Sequence, residues 1–226
     1  IKAINYEGLR KIGNPNEFAK KYYEQGIDEI IFIDIVASLY GRDCLFDIIK
    51  KASKDIFVPI TAGGGIKTSK DIKQLLNSGA DKVAINTSLL KNPKLINQFV
   101  NDFGSQCIVA SIQAKKIDNT WYAYVENGKD NTNVNVMKWI DELTKKGVGE
   151  ILLTSVDKDG TETGPDIDLI KEASTLCKIP LIVAGGISKT SELENLNTIK
   201  GIDGISISSS FHYDNLKIVQ AKSALL

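Results

Sequence analysis

Three stretches of this chain occur twice in one register. GIDEIIFIDI from Gly26 returns as GVGEILLTSV from Gly147, PITAGGGI from Pro59 as PLIVAGGI from Pro180, and GADKVAINTS from Gly79 as GIDGISISSS from Gly201. The offsets are 121, 121 and 122 residues. One matching pair could be chance. Three that keep step, each an apolar run ending in Gly, Asn, Thr or Ser, argue for a duplicated half-domain. Such a chain presents two equivalent sets of strand ends around one core, which points to a ligand with two similar ends.

Short apolar runs alternate with amphipathic stretches throughout. The runs predict strands at Glu29–Asp34, Val58–Ala62, Lys82–Ile85, Cys107–Ile112, Glu150–Thr154, Leu181–Ala184 and Gly204–Ile207. They are nearly continuous in apolar residues, as strands of a parallel sheet buried on both faces must be. Helices are predicted at Pro15–Gln25, Cys44–Lys54, Ser69–Ser78, Pro93–Phe103, Val134–Lys146, Asp166–Leu176 and Ser191–Leu196. Pro93 and Pro165-Asp166 suit helix starts, and Gly26, Gly79, Gly104 and Gly147 sit where a left-handed cap is wanted. Repeated β–α units give a parallel sheet, either open and doubly wound or closed as a (βα)8 TIM barrel. The duplication favours closure, since two four-strand halves complete an eight-strand ring. Seven strands are countable. The expectation is a first strand preceding Ile1 in the native gene product. At 226 residues the chain reads as one barrel domain over 1–226, its first half running to about 104 and its second from about 105.

Composition narrows the partners. Basic and acidic side chains number 28 each, giving no net charge, which argues against nucleic acid or an anionic membrane. No apolar run approaches the ~20 residues of a membrane span, and no signal peptide is visible. Cys44, Cys107 and Cys177 lack a Cys-x-x-Cys pairing and are expected to be reduced, buried thiols of a cytoplasmic protein. His212 is the sole histidine. With no second His or Cys beside it, no metal site is expected, nor any other cofactor, and His212 should be structural or on the surface.

In a barrel the active site lies at the strand C-termini. Gly63-Gly64-Gly65 follows one strand there and Asn86-Thr87 the next; the repeat supplies Gly185-Gly186 and Ser208-Ser209. Glycines let backbone N–H groups approach an anion, so the two loops suggest a bis-phosphate ligand. Asp34 ends a strand, and Asp157 and Asp159 follow another; these carboxylates suit acid–base work or sugar hydroxyls, although Asp-Gly is also a common turn pair. At the opposite ends Glu29, Lys82 and Glu150 should converge, either as an ion-paired plug or as a functional feature. Alternation in TWYAYV, after the strand at Cys107, predicts a small hairpin over the mouth, serving as a lid or as decoration.

The stretches YEQGIDEIIFIDIVAS, AGGGIKTSKDI, GADKVAINTS, FGSQCIVASI, GVGEILLTSVDKDGT and VAGGISKT resemble the cyclase subunit (HisF) family of imidazole glycerol phosphate synthase along almost the whole chain. The resemblance implies a two-half barrel docked through its bottom face on a glutaminase. Ammonia from the glutaminase crosses the barrel and reacts with a bis-phosphate ribulosyl aminoimidazole-carboxamide nucleotide. By position, Gly64, Gly65, Asn86 and Thr87 look like one phosphate site, and Gly185, Gly186, Ser208 and Ser209 like the other. Asp34, Thr154 and Asp159 look like substrate positions, Lys2 like the lysine of the first loop, Glu29, Lys82 and Glu150 like the ammonia gate, and Asp81 like the docking surface. One departure stands out: Gln113 occupies the place of an expected catalytic aspartate, in IQAK rather than I-Asp-A-K, and an amide cannot transfer protons as a carboxylate does. With VASLYGR after a strand, this looks like paralogues of surface-polysaccharide biosynthesis that conduct ammonia to a sugar amidotransferase. A weaker likeness is to the sister phosphoribosyl isomerase.

Overall fold

The computed structural model describes Ile1, residues 4–35 and residues 46–226. Lys2, Cys44 and the VASLYGR segment lie outside the described residues.

Seven parallel strands form the body: β1 (Ile30–Ile33), β2 (Ile60–Gly63), β3 (Lys82–Ile85), β4 (Ile108–Ile117), β7 (Glu150–Ser155), β8 (Leu181–Ala184) and β9 (Gly204–Ser206), hydrogen-bonded in that order. Helices follow the strands as β–α repetition requires: α1 (Pro15–Glu24), α2 (Phe46–Asp55), α3 (Ser69–Asn77), α4 (Thr87–Lys91), α5 (Lys94–Phe103), α6 (Val136–Lys145), α7 (Ile167–Leu176), α8 (Thr190–Asn197), α9 (Ser209–His212) and α10 (Ile218–Ser223). Strand residues alternate between two cores. Val83, Ile108, Ala110, Ile151 and Leu153 pack outward with helix residues such as Ile72, Phe99 and Ile140. Ala84, Val109 and Leu152 form a separate inner cluster with Ile31, Ile182 and Ala184. A sheet that curls round its own packed interior while helices cover its outside is an α/β barrel. Among the described residues β1 and β9 pair on one side only.

The duplication extends to individual hydrogen bonds. At the strand N-termini Asp81 Oδ2 accepts from Ile60 N at 2.8 Å, and Asp203 Oδ2 from Leu181 N at 2.9 Å. At the other rim Ser88 Oγ donates to Ile66 O, and Ser210 Oγ to Ile187 O. Asp71 accepts from Lys67 N and Thr68 N to start α3; Glu192 accepts from Ser188 N and Lys189 N to start α8. Asn86 and Ser208, which precede α4 and α9, share one backbone conformation (φ −117, ψ −83 and φ −119, ψ −78).

The strand predicted at Cys107–Ile112 is longer than its apolar run suggests. Cys107 closes a short turn, and β4 continues to Ile117 because β5 (Thr120–Val125) folds back on it antiparallel and pairs in turn with β6 (Asp130–Asn135). The predicted hairpin therefore grows out of the barrel strand. Trp121 is buried and donates from Nε1 to Asp166 Oδ2 at 3.0 Å, Asp166 also caps α7, and Lys116 lies over the Trp121 ring. Short α4, α9 and α10 escape a reading of apolar periodicity, having at most a turn or two to display it. Cys107 and Cys177 are half-buried rather than buried, each standing at the edge of an element.

Candidate active site

Two cavities open at the C-terminal ends of the strands. One, of about 330 Å³, is lined by Asp34, Gly64, Gly65, Asn86 and Thr87 from the first half. The other, of about 520 Å³, is lined by Thr154, Asp159, Gly185, Gly186, Ser208 and Ser209 from the second half, and it runs along both edge strands, β1 and β9. Ile33, Ser111, Gln113 and Asn127 line both. The residues singled out in the sequence as phosphate- and substrate-binding thus fall into two neighbouring groups that meet at Gln113. Lys2 lies outside the described residues.

The glycines are required where they stand. A Cβ on Gly64 (φ +105) would lie 2.3 Å from Asp34 O, and one on Gly185 (φ +108) 2.7 Å from Ser155 O. Both combine a left-handed conformation with contact against the preceding strand end, so a side chain is excluded twice over.

Gln113 does not float in the mouth. Its Oε1 accepts from Gly128 N at 2.8 Å, holding the β5–β6 turn. That turn carries Glu126 and Asn127, both with positive φ. Glu126 Oε1 accepts from Lys91 Nζ at 2.7 Å, and its backbone N–H reaches Thr87 Oγ1. Asp157, one of the two aspartates of the DKDG segment, accepts from Lys116 N at 2.7 Å and so braces the hairpin. Asp159 lines the larger cavity, where burial pushes its carboxyl up to about 6. The segment 4–13 crosses that cavity: Asn5 N donates to Asp159 O at 2.8 Å, and the Tyr6 hydroxyl lies against Thr154. Burial, with the Asp159 charge, pushes the Tyr6 phenol well above its usual range. His212 lines the same cavity in an aromatic nest, its Nδ1 2.6 Å from Tyr22 Oη and its ring edge-on to Phe18. Burial and nearby positive charge push His212 down to about 4, leaving it neutral.

At the opposite ends of the strands, Lys82 Nζ donates to Glu29 Oε2 at 2.9 Å and to Glu150 Oε2 at 2.8 Å. The three charges expected to converge there do so. Asp81, on the same rim, spends its carboxylate on the start of β2. Among the described residues no group of three or more His, Cys, Asp or Glu is arranged to hold a metal ion, and no helix is long and apolar enough to cross a membrane.

Tyr6, Glu126 and Asn127 were not singled out from the sequence. The turn residues ENG in the predicted hairpin were the available signal for the last two; nothing in the polar segment around Tyr6 marks it.

A curled parallel sheet with glycine-rich loops around paired cavities at one rim defines a TIM-barrel protein of the two-half kind. The chain belongs to the histidine biosynthesis protein family, whose profile matches residues 1–217. It is 50% identical over 193 residues to the imidazole glycerol phosphate synthase subunit HisF of Legionella pneumophila, covering 85% of this chain and 91% of that protein. It is 41% identical over 226 residues to the HisF subunit of Bacillus cereus (strain G9842), covering 100% of this chain and 90% of the relative. The HisF subunit of Streptococcus mutans matches at 38% over 226 residues, with the same coverage.

Proposed function

We propose that this chain is the HisF-type subunit of an imidazole glycerol phosphate synthase. It forms one barrel domain over 1–226, whose halves meet near residues 104 and 105. In this reading it takes ammonia from a glutaminase docked at the strand N-termini. It acts on a ribulosyl aminoimidazole-carboxamide nucleotide bearing a phosphate at each end, giving imidazole glycerol phosphate. The observation that carries the reading is the pair of equivalent glycine-lined cavities meeting at Gln113, a shape suited to a ligand with an anion at each end. The Gly64–Gly65 loop with Asn86 and Thr87 takes one phosphate, and the Gly185–Gly186 loop with Ser208 and Ser209 the other; Lys2 is carried over from the resemblance as the lysine of the first loop. Asp34, Thr154 and Asp159 hold the nucleotide between them. Asp159, with its carboxyl pushed up to about 6, exchanges a proton readily near neutral pH, as a general acid or base should. The Lys82–Glu29–Glu150 triad serves as the gate for ammonia, and the rim around Asp81 as the docking face.

Gln113 favours a second reading, in which the barrel conducts ammonia to a sugar amidotransferase and closes no ring. Incubating the full-length gene product with the bis-phosphate nucleotide and ammonium salts decides between them. Formation of imidazole glycerol phosphate supports the first reading. No product from the wild type, with turnover in Gln113→Asp, supports the second: the pocket is then intact and only the carboxylate is wanting. No product and no nucleotide binding in either protein would remove the first reading.

A further inference from the structure

Asn127-Gly128 is the one Asn-Gly pair in the chain, and such a pair carries its own chemistry. Asparagine amides are labile, and a following glycine has no side chain to shield its backbone nitrogen. That nitrogen can attack the asparagine Cγ. The N–Cγ bond forms, the Cγ–Nδ2 bond breaks, and Nδ2 leaves as ammonia with the proton that Gly128 N gives up. Water then opens the cyclic imide at either carbonyl, giving aspartate or isoaspartate. No further reactant is needed.

The pair stands at the tip of the β5–β6 hairpin, where Glu126, Asn127 and Gly128 all have left-handed backbones (φ +50, +60 and +73). Asn127 lines both cavities. Its Nδ2, the group that leaves, has no hydrogen-bond partner among the described residues. The attacking nitrogen, by contrast, is tied: Gly128 N donates to Gln113 Oε1 at 2.8 Å. Nor does packing let the pair be altered at its second residue. A Cβ on Gly128 would lie 3.1 Å from Val156 Cγ1 and 3.2 Å from Tyr6 Cδ2, in a backbone conformation that favours glycine. The fold thus keeps the reactive dipeptide, leaves one end of the reaction unheld, and holds the other with a single side chain from a different strand.

We propose that Asn127-Gly128 is a self-modification site, a latent deamidation at the boundary of the two cavities, and that Gln113 is the positioning residue that holds it back. The Gly128 N–H must leave Gln113 before the nitrogen can attack, so the reaction waits on local opening of the turn. Its product puts a carboxylate where a neutral amide stood, and in the iso form adds a carbon to the backbone of the turn. The inference gives Gln113 a purpose other than proton transfer, and it does not depend on which ligand the cavities take.

The test is to incubate full-length wild type, Gln113→Met and Gln113→Glu in mildly alkaline buffer, digest them, and follow the Asn127 peptide by mass spectrometry as NH2 is replaced by OH. Methionine fills similar space without the amide oxygen. Losing one hydrogen bond raises the opened population about fivefold, so Gln113→Met should convert about fivefold faster than wild type. Glutamate keeps an acceptor at the same reach, so Gln113→Glu should stay within about twofold of wild type. Asn77-Ser78 reports general loosening in the same digests, because Ser78 N is held by Gln74 O at 3.0 Å at the end of α3; it should convert at one rate in all three proteins. Conversion of Gln113→Met within about twofold of wild type overturns the proposal. So does Gln113→Glu converting as fast as Gln113→Met, or Asn77 rising in step with Asn127.

Discussion

The two halves agree in their foundations and disagree at their mouths. Strand starts are latched by Asp81 in one and Asp203 in the other, and the rim serines Ser88 and Ser210 bond equivalent carbonyls. Gly79 and Gly201 both pass so close to an earlier helix that a Cβ would strike Ser53 or Ser174. Above this shared frame the first half's cavity receives Glu126, with Asn127 on the boundary between the two, whereas the second half's receives Tyr6, Asp159 and His212. Hydrogen bonds that close the fold occur in duplicate; the side chains that line the two cavities do not. The difference teaches that two similar cradles need not hold similar chemistry between them.

Four experiments would break or sharpen this comparison. The largest effect is expected from the core pair Leu75 and Leu196, which stand 121 residues apart and are both buried. Alanine at either should cost about 2–5 kcal/mol in denaturant unfolding, and a gap between them of more than about 2 kcal/mol would break the equivalence of the frames.

Next is pH, which acts through groups confined to the second cavity. Asp159 is pushed up to about 6 from 3.8. The native state therefore keeps a proton the unfolded chain has lost, and stability should fall as pH rises from about 4 to about 6. His212, pushed down to about 4 from 6.5, has the opposite sign: stability should fall as pH drops through that window. Each contribution is at most about 3 kcal/mol. In unfolding curves taken across pH, Asp159→Asn should lack the first slope and His212→Gln the second; an unaltered curve in either variant contradicts the assignment.

Gly64→Ala and Gly185→Ala follow, each expected to lose about 2 kcal/mol through left-handed strain and contact with the preceding strand. If the loops are anion cradles, both variants should also bind the nucleotide more weakly than their stability loss requires. Smallest is Lys82→Met, which leaves Glu29 and Glu150 facing one another. Glu29 is 39% exposed at its side chain, so screening limits the cost to about 1–2 kcal/mol, and the loss should shrink further in variants that also carry Glu150→Gln.

Much of this was legible in the chain. Lys82–Ile85 and Leu181–Ala184 form strands at the residues read from apolar runs, because strands buried on both faces are nearly continuous in apolar residues. The glycine loops could be read because their conformations exclude other residues. The site was legible only in part. Gln113 announced itself by difference from a motif, but its bond to Gly128 depends on a turn fifteen residues away. Glu126, Asn127 and Tyr6 reach the cavities through the path of a hairpin and an irregular segment, and neither path has a period to read.

The inner cluster draws Ala84 and Ile31 from the first half and Val109, Leu152, Ile182 and Ala184 from the second. Each half owns its latches, yet neither owns that cluster. Severed between 104 and 105, the pieces would be individually well braced and individually sticky, each exposing an apolar concavity shaped for the other. Produced together in one cell, they should find one another without a covalent tether; produced apart, each should pair with copies of itself.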